Sequence, residues 1–349
     1  MSNIWHDLLI QLVSIPSESC QEEQAVRYLV DWMSEHGFRA FVDEVGNAVG
    51  MRGKSDAPYT LMLLGHIDTV GGFFPVRLED GRLFGRGSVD AKGSLCSFVA
   101  AVAQAQIPND WRVIVVGAVQ EEVSSSAGAH FVRAHYCPDL CVIGEPSGAT
   151  RLTLGYKGRL IMEYELRAPH FHTAHQAKNA PELGVEDLLT IQQWVEDFNT
   201  NVRREFDRLQ VRLQAIASSS DGIDDLLAMT IGFRLPLSIT SATLFEKMSA
   251  LVNPAAKLIC VGQEEAYLSD KHNALVRLFS TGIRTLGERP AFVLKSGTSD
   301  MNVVGQVWKC PIVAYGPGDS SLDHTPNEHL PLAEYDQAIH VLKYLIEHL

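Results

Sequence analysis

Thr60-Leu61-Met62-Leu63-Leu64-Gly65-His66-Ile67-Asp68-Thr69 is the stretch from which this 349-residue chain can be read. Its apolar half does not alternate with polar residues, the pattern of a strand buried on both faces, and it runs straight into a histidine and an aspartate. Two more runs of this kind follow: residues 112–119 lead into Gln120-Glu121-Glu122, and residues 140–143 lead into Gly144-Glu145-Pro146. Between the first two runs, Gly85-Arg86-Gly87-Ser88-Val89-Asp90-Ala91-Lys92-Gly93 opens a helix of small residues over 91–106. Strand, helix, strand at this spacing implies a parallel sheet. Ligands of such sheets gather at the carboxyl ends of the strands, where His66, Glu121, Glu122 and Glu145 all fall. Leu322-Asp323-His324-Thr325-Pro326 adds a second histidine near the end of the chain. Two histidines with several carboxylates are too many for one zinc ion and suit two, and a water shared by two metals is a nucleophile at neutral pH.

The bulk composition narrows the classes. The length suggests about two domains. A hydrophobic content of 46% with 20% charged residues is that of a soluble globular protein. No apolar run reaches the roughly 18 residues of a membrane helix, and residues 1–7 lack the basic and apolar regions of a signal peptide. Cys20, Cys96, Cys137, Cys141, Cys260 and Cys310 read as mostly buried thiols of a reducing cytoplasm, since Cys137-x3-Cys141 has no histidine partners at zinc-finger spacing. A net charge of −13 argues against nucleic acid.

Along the chain, residues 4–36 read as a helix interrupted at Pro16, with Ser17 or Ser19 capping the second part. Residues 38–49 read as one strand. From Lys157 the pattern changes. Residues 159–167 alternate as an antiparallel strand, followed by a helix over about 181–213, strands at 211–217 and 228–234, a helix at 241–252 and a strand at 257–261. This α+β module interrupts the first pattern, which resumes with a helix at 273–286, strands near 291–294 and 311–315 and a closing helix at 332–348. The expected division is 1–156 with 265–349, and 157–264 inserted between them.

Each candidate ligand alone has a plain structural reading, because an acid after a strand is often a helix cap. The pair Glu121-Glu122 resists it: two carboxylates at the end of an apolar strand repel each other unless a cation lies between them.

Together, Gly65-His66-Ile67-Asp68-Thr69, the segment 85–93, Glu121-Glu122, Gly144-Glu145-Pro146 and Asp323-His324-Thr325-Pro326-Asn327-Glu328 resemble the M20 metallopeptidase/deacylase family over essentially the whole chain. The resemblance implies an α/β, zinc-peptidase-like mixed, largely parallel sheet flanked by helices, with an inserted α+β ferredoxin-like lid/dimerisation domain. It implies that Asp90 bridges two divalent ions, with His66 and Glu145 on one and Glu122 and His324 on the other. Zinc is the expected metal, and cobalt or manganese can take its place. Asp68 would fix the His66 tautomer and Glu121 would be the general base. In the lid, His172, ahead of His175, would stabilise the oxyanion in a partner subunit, so a homodimer is implied. Arg234 would clamp a substrate carboxylate, and Gly297, Thr298 and Ser299 would hold substrate. Ser218-Ser219-Ser220-Asp221-Gly222 stands where the family has an asparagine-containing segment.

Within the family, the segments 295–302 and 315–329 resemble hydrolases that release lysine or ornithine from an acidic amino-group carrier protein in lysine and arginine synthesis. That substrate implies an acidic pocket for the side-chain ammonium, with Asp300, Asp319 and Glu328 as candidates. It also implies a local basic patch, since the chain is itself acidic; Arg203, Arg204, Arg208 and Arg212 are the candidates. The alternatives are a small-molecule N-acyl-amino-acid deacylase (acetylornithine deacetylase or succinyl-diaminopimelate desuccinylase), a dipeptidase, and a non-catalytic binding protein. The intact Glu121 and full ligand set disfavour the last. An aminopeptidase with a similar zinc pair is disfavoured by the segment after Lys157.

Overall fold

The computed structural model describes residues 3–172 and 174–349. Its fold is α/β: a nine-stranded mixed sheet flanked by helices. The three apolar runs form its parallel centre. Tyr59–His66 lies between Trp111–Ala118 and Leu140–Gly144, with Leu64 beside both Val116 and Ile143. Ile312–Ala314 continues the parallel pairing beyond Leu140–Gly144. The flanks are antiparallel, through Ala48–Gly53 on one side and Arg151–Tyr156 on the other. The helix Lys92–Gln104 is buried all round from Lys92 to Val102, which its small residues allow. It lies so close to the sheet that a Cβ at Gly144 would stand 2.8 Å from the Phe98 ring and 2.9 Å from Gly65 Cα.

The chain divides into two compact units, the first comprising Met1–Gly155, Leu268–Leu294 and Ser299–Leu349, the second Tyr156–Tyr267 with Lys295–Thr298. The loop Lys295–Thr298 therefore groups with the inserted unit, not with the flanking sequence as expected. The second unit has its own core, in which Leu160, Met162, Tyr164 and Leu166 of one strand face the helices Ala180–Phe198 and Ser241–Leu251. Its four antiparallel strands run in the order Gln210–Ser220, Asp224–Leu235, Gly158–Pro169, Lys257–Glu264, a ferredoxin-like arrangement.

Several expectations are corrected. Residues 38–49 form two strands, Arg39–Val42 and Ala48–Gly53, paired as a hairpin. Asp43 Oδ1 accepts from the N–H groups of Val45, Gly46 and Asn47, and Gly46 supplies φ +101, which closes the turn. The helix expected to reach 213 stops at Phe198, because the Asn199 side chain turns back to bond both the N–H and the carbonyl of Leu209. Neither Ser17 nor Ser19 caps the helix Glu23–Glu35. Of the cysteines, only Cys96 and Cys141 are buried, while Cys20 and Cys137 are exposed; all six are free thiols. Among the described residues no helix is long and apolar enough to cross a membrane.

Candidate functional site

The carboxyl ends of the central strands bring the acids and histidines together. His66 closes its strand with its ring buried. Nδ1 lies 3.0 Å from the Asp68 carbonyl oxygen and Nε2 lies 3.2 Å from Asp90 Oδ1. Asp90 Oδ2 lies 3.1 Å from His324 Nε2, and that nitrogen lies 3.0 Å from Glu122 Oε1. One carboxylate thus turns an oxygen to each histidine. Ligand atoms of His66, Asp90 and Glu122 all lie within 4.8 Å of one another. Two ligands held tetrahedrally at zinc bond lengths stand about 3.4 Å apart. Separations of 3.0 to 3.2 Å are thus those of donors that can share an ion. The mixed imidazole and carboxylate set fits borderline divalent metals.

The electrostatics agree. Burial would push the Asp90 carboxyl up, but hydrogen bonds from His324 and His66 outweigh it and hold the group well below the usual carboxylate range. His324 is pushed up to about 10 by Asp90 and Glu122. Burial lowers the proton affinity of His66, yet Asp68 and Asp90 raise it well above the ordinary value. A cation bound between these groups would compete with their protons. Glu121 is raised well above the usual range by burial; His66 opposes this, while Glu145, Asp300 and Glu122 add to it. The pair Glu121 and Glu145 is therefore close enough to interact by charge.

Three supports hold this cluster. Asp68 is fully buried, and its two oxygens accept the N–H groups of Glu121 and Glu122, each at 3.0 Å, and the Ser19 hydroxyl at 2.7 Å. Buried Glu328 accepts from the N–H groups of Val89 and Asp90 with Oε1, while Oε2 accepts from Arg86 at 2.8 Å. Arg86 also donates to the carbonyls of His324 and Thr325, so one ion pair links the loops carrying Asp90 and His324. Gln120 and His324 take φ of 62° and 61°, left-handed values uncommon for residues other than glycine. Ser19, Arg86 and Glu328 lay within or beside quoted motifs, but nothing local marked them as supports, because their partners are distant in sequence.

The remaining candidates fall differently. Glu328 is buried and engaged by Arg86, Asp300 is buried, and Asp319 caps the turn Ser320–Leu322. Burial raises the Asp300 carboxyl to about 7. Ser299 is buried and its hydroxyl caps the helix Asp300–Gly305. In the second unit, Arg234 donates to Thr298 Oγ1 at 3.2 Å and lines a cleft of about 870 Å³ with Arg159, Arg212, Gln214 and Gly297. His172 and His175 are exposed and accept from the N–H groups of Ala174 and Ala177. The expected arginine patch lies off any α-helix from Arg203 to Arg208, and Arg204 is paired with Asp207. Arg212 sits instead on a strand in the cleft.

A mixed sheet with this cluster at its strand ends is the architecture of a metallohydrolase, and the sequence comparison agrees: peptidase family M20/M25/M40 matches residues 62–348, and the chain belongs to that family. Among curated relatives, the chain is 46% identical to the [LysW]-lysine hydrolase of Deinococcus radiodurans, over 96% of this chain and 94% of that one. It is 27% identical to the [LysW]-lysine/[LysW]-ornithine hydrolase of Sulfurisphaera tokodaii, over 94% and 90%. The M20 family metallo-carboxypeptidase Sso-CP2 from Sulfolobus solfataricus shares the fold, with a TM-score of 0.78 at 18% identity over 99% of each chain.

Proposed function

We propose that this chain is a two-metal amidase that releases lysine or ornithine from an amino-group carrier protein. The observation that carries the chemistry is the Asp90 carboxylate, one oxygen toward His66 and the other toward His324. The observation that supports the substrate is the 46% identity to a [LysW]-lysine hydrolase along nearly the whole chain. In this reading His66 and Glu145 complete one metal site and Glu122 and His324 the other, with zinc as the metal. When bound, the ions polarise the scissile carbonyl and make water nucleophilic near neutral pH.

The chain's own residues do the rest. Glu121 takes a proton from the attacking water and returns it to the departing α-amine, a role that requires it to stay out of the ligand set held by its neighbour Glu122. Its burial among other carboxyls raises its affinity for that proton. Asp68 keeps the His66 ring in the tautomer that presents Nε2. Arg234, with Thr298 and Gly297, is assigned the substrate carboxylate, since a guanidinium binds one in bidentate fashion. His172 is assigned the oxyanion in a homodimer whose second unit acts as lid.

The test is hydrolysis of carrier-linked lysine or ornithine, N-acetylornithine and N-succinyl-diaminopimelate in parallel by the zinc- or cobalt-loaded protein. A kcat/KM about a hundredfold higher on the carrier substrate, roughly 2.7 kcal/mol, is the expected result. Dominant activity on a free acyl-amino acid would move the protein to the small-molecule branch and leave the assigned chemistry intact.

A further inference from the structure

Glu22 is a buried carboxylate that the mechanism above does not use. Among the described residues no lysine, arginine or histidine pairs with it, and it does not cap the helix Glu23–Glu35 that it precedes. Its Oε1 instead accepts two backbone N–H groups, that of Cys20 at 2.8 Å and that of Gln120 at 3.1 Å. Both donors belong to left-handed non-glycine residues, with φ of 70° and 62°. Gln120 is the residue before Glu121. Three successive N–H groups thus end on carboxylate oxygens: Gln120 on Glu22, Glu121 on Asp68 Oδ1 and Glu122 on Asp68 Oδ2.

The loop that carries Glu22 is tied to the same strand end. The Thr69 N–H donates to the Ser17 carbonyl, the Ser19 N–H to the Thr69 carbonyl, the Ser17 hydroxyl to the Ile67 carbonyl and the Ser19 hydroxyl to Asp68. We propose that residues 17–22 are a strap that aims the Glu121 carboxyl, with Glu22 as its positioning residue. The inference rests on the reading of Glu121 as the general base.

The physical argument is local. A residue at φ near +60° returns to an ordinary conformation unless its peptide is held. Without the Glu22 oxygen the Gln120 N–H loses its acceptor, and the left-handed turn that leads into Glu121 relies on the bond from the Glu121 N–H to Asp68. Glu122 keeps its bond to Asp68, while His66, Asp90 and His324 lie on other segments. The loss should therefore fall on proton transfer and spare metal and substrate binding.

The experiment compares Glu22→Ala, Glu22→Asp and Glu22→Gln with wild type and with Glu121→Gln, on whichever substrate above the wild type cleaves fastest. Glutamine keeps an oxygen that accepts both N–H groups. Aspartate keeps the charge at the helix start but is one methylene too short, which guards against a failure of the alanine variant to fold. The expected result is a kcat at least about tenfold lower for the alanine and aspartate variants, since small misplacements of a catalytic group have effects of this size. KM and bound metal per chain stay at wild-type values, the amide of Gln120 exchanges faster by mass spectrometry, and the glutamine variant matches wild type. Wild-type kcat in Glu22→Ala, or loss of metal together with kcat, overturns the strap while an inactive Glu121→Gln leaves the base assignment standing. A fully active Glu121→Gln overturns the base assignment and the strap with it.

Discussion

In the proposed function Asp90 and Glu121 have separate tasks, one as ligand and the other as base. Asp90 is met by a histidine on each side, one at each carboxylate oxygen, and the proposed function assigns both oxygens to metal. Glu121 shares its backbone support with Glu122 through Asp68, yet only Glu122 contacts His324. Glu121→Gln keeps the shape and removes the proposed base. It should lower kcat by about a thousandfold, within the usual contribution of a positioned general base. Metal content by atomic spectroscopy should not change, and a parallel loss of metal would place Glu121 among the ligands.

The elements meet through buried polar groups whose removal should be felt as stability. The Arg86–Glu328 pair ties the loop before the helix Lys92–Gln104 to the loop before the strand His329–Pro331. Glu328→Ala leaves a buried guanidinium and two backbone N–H groups without their acceptor, and should destabilise the protein by about 3–5 kcal/mol in denaturant unfolding. Lys92 lies under the same loop with Nζ donating to the carbonyls of Leu12 and Ile15 at the end of the helix Ile4–Ser14. Burial lowers its ammonium from 10.5 to about 8, against the pull of Cys96, Glu328 and Asp68. Below about pH 8 both folded and unfolded chains carry this charge, and its burial counts fully against the fold. Between about 8 and 10.5 the unfolded chain keeps a proton that the folded chain has released, so this contribution to stability rises with pH. The change is about 3 kcal/mol across the interval. Stability of wild type relative to Lys92→Met should therefore grow from pH 8 to 10.5; a constant difference would show that Lys92 titrates normally.

At the scale of the molecule, the proposed function makes the site depend on bound cations. Removal of metal by a chelator should abolish hydrolysis and lower Tm, because the clustered carboxylates of Asp90, Glu122, Glu121 and Glu145 then repel one another. Zinc or cobalt added back should restore both, with two ions bound per chain. Restoration with one ion per chain would refute the bridging role of Asp90. The large sheet and the ferredoxin-like unit keep separate cores, so a calorimetric trace with two transitions, only one of them shifted by metal, would locate the stabilisation in the first unit.

Much of this was legible in the sequence because it is written locally. Continuous apolar runs at 60–64, 112–119 and 140–143 mark strands buried on both faces, and a parallel sheet presents the residues that follow them at one edge. The alternation of Leu160, Met162, Tyr164 and Leu166 likewise announces an antiparallel strand with one buried face. The hairpin at Arg39–Gly53 and the end of the helix at Phe198 were missed where one side chain, Asp43 or Asn199, bonds the backbone and overrides the periodicity. Only the tertiary structure decided which carboxylates are ligand-like and which are braces. Glu22 and Gln120 are 98 residues apart and Arg86 and Glu328 are 242 apart. Asp300 and Glu328, candidates in the sequence for an acidic substrate pocket, are buried in the fold. Residue type records what a side chain can bond; its role depends on which distant backbone groups the packed sheet brings within reach.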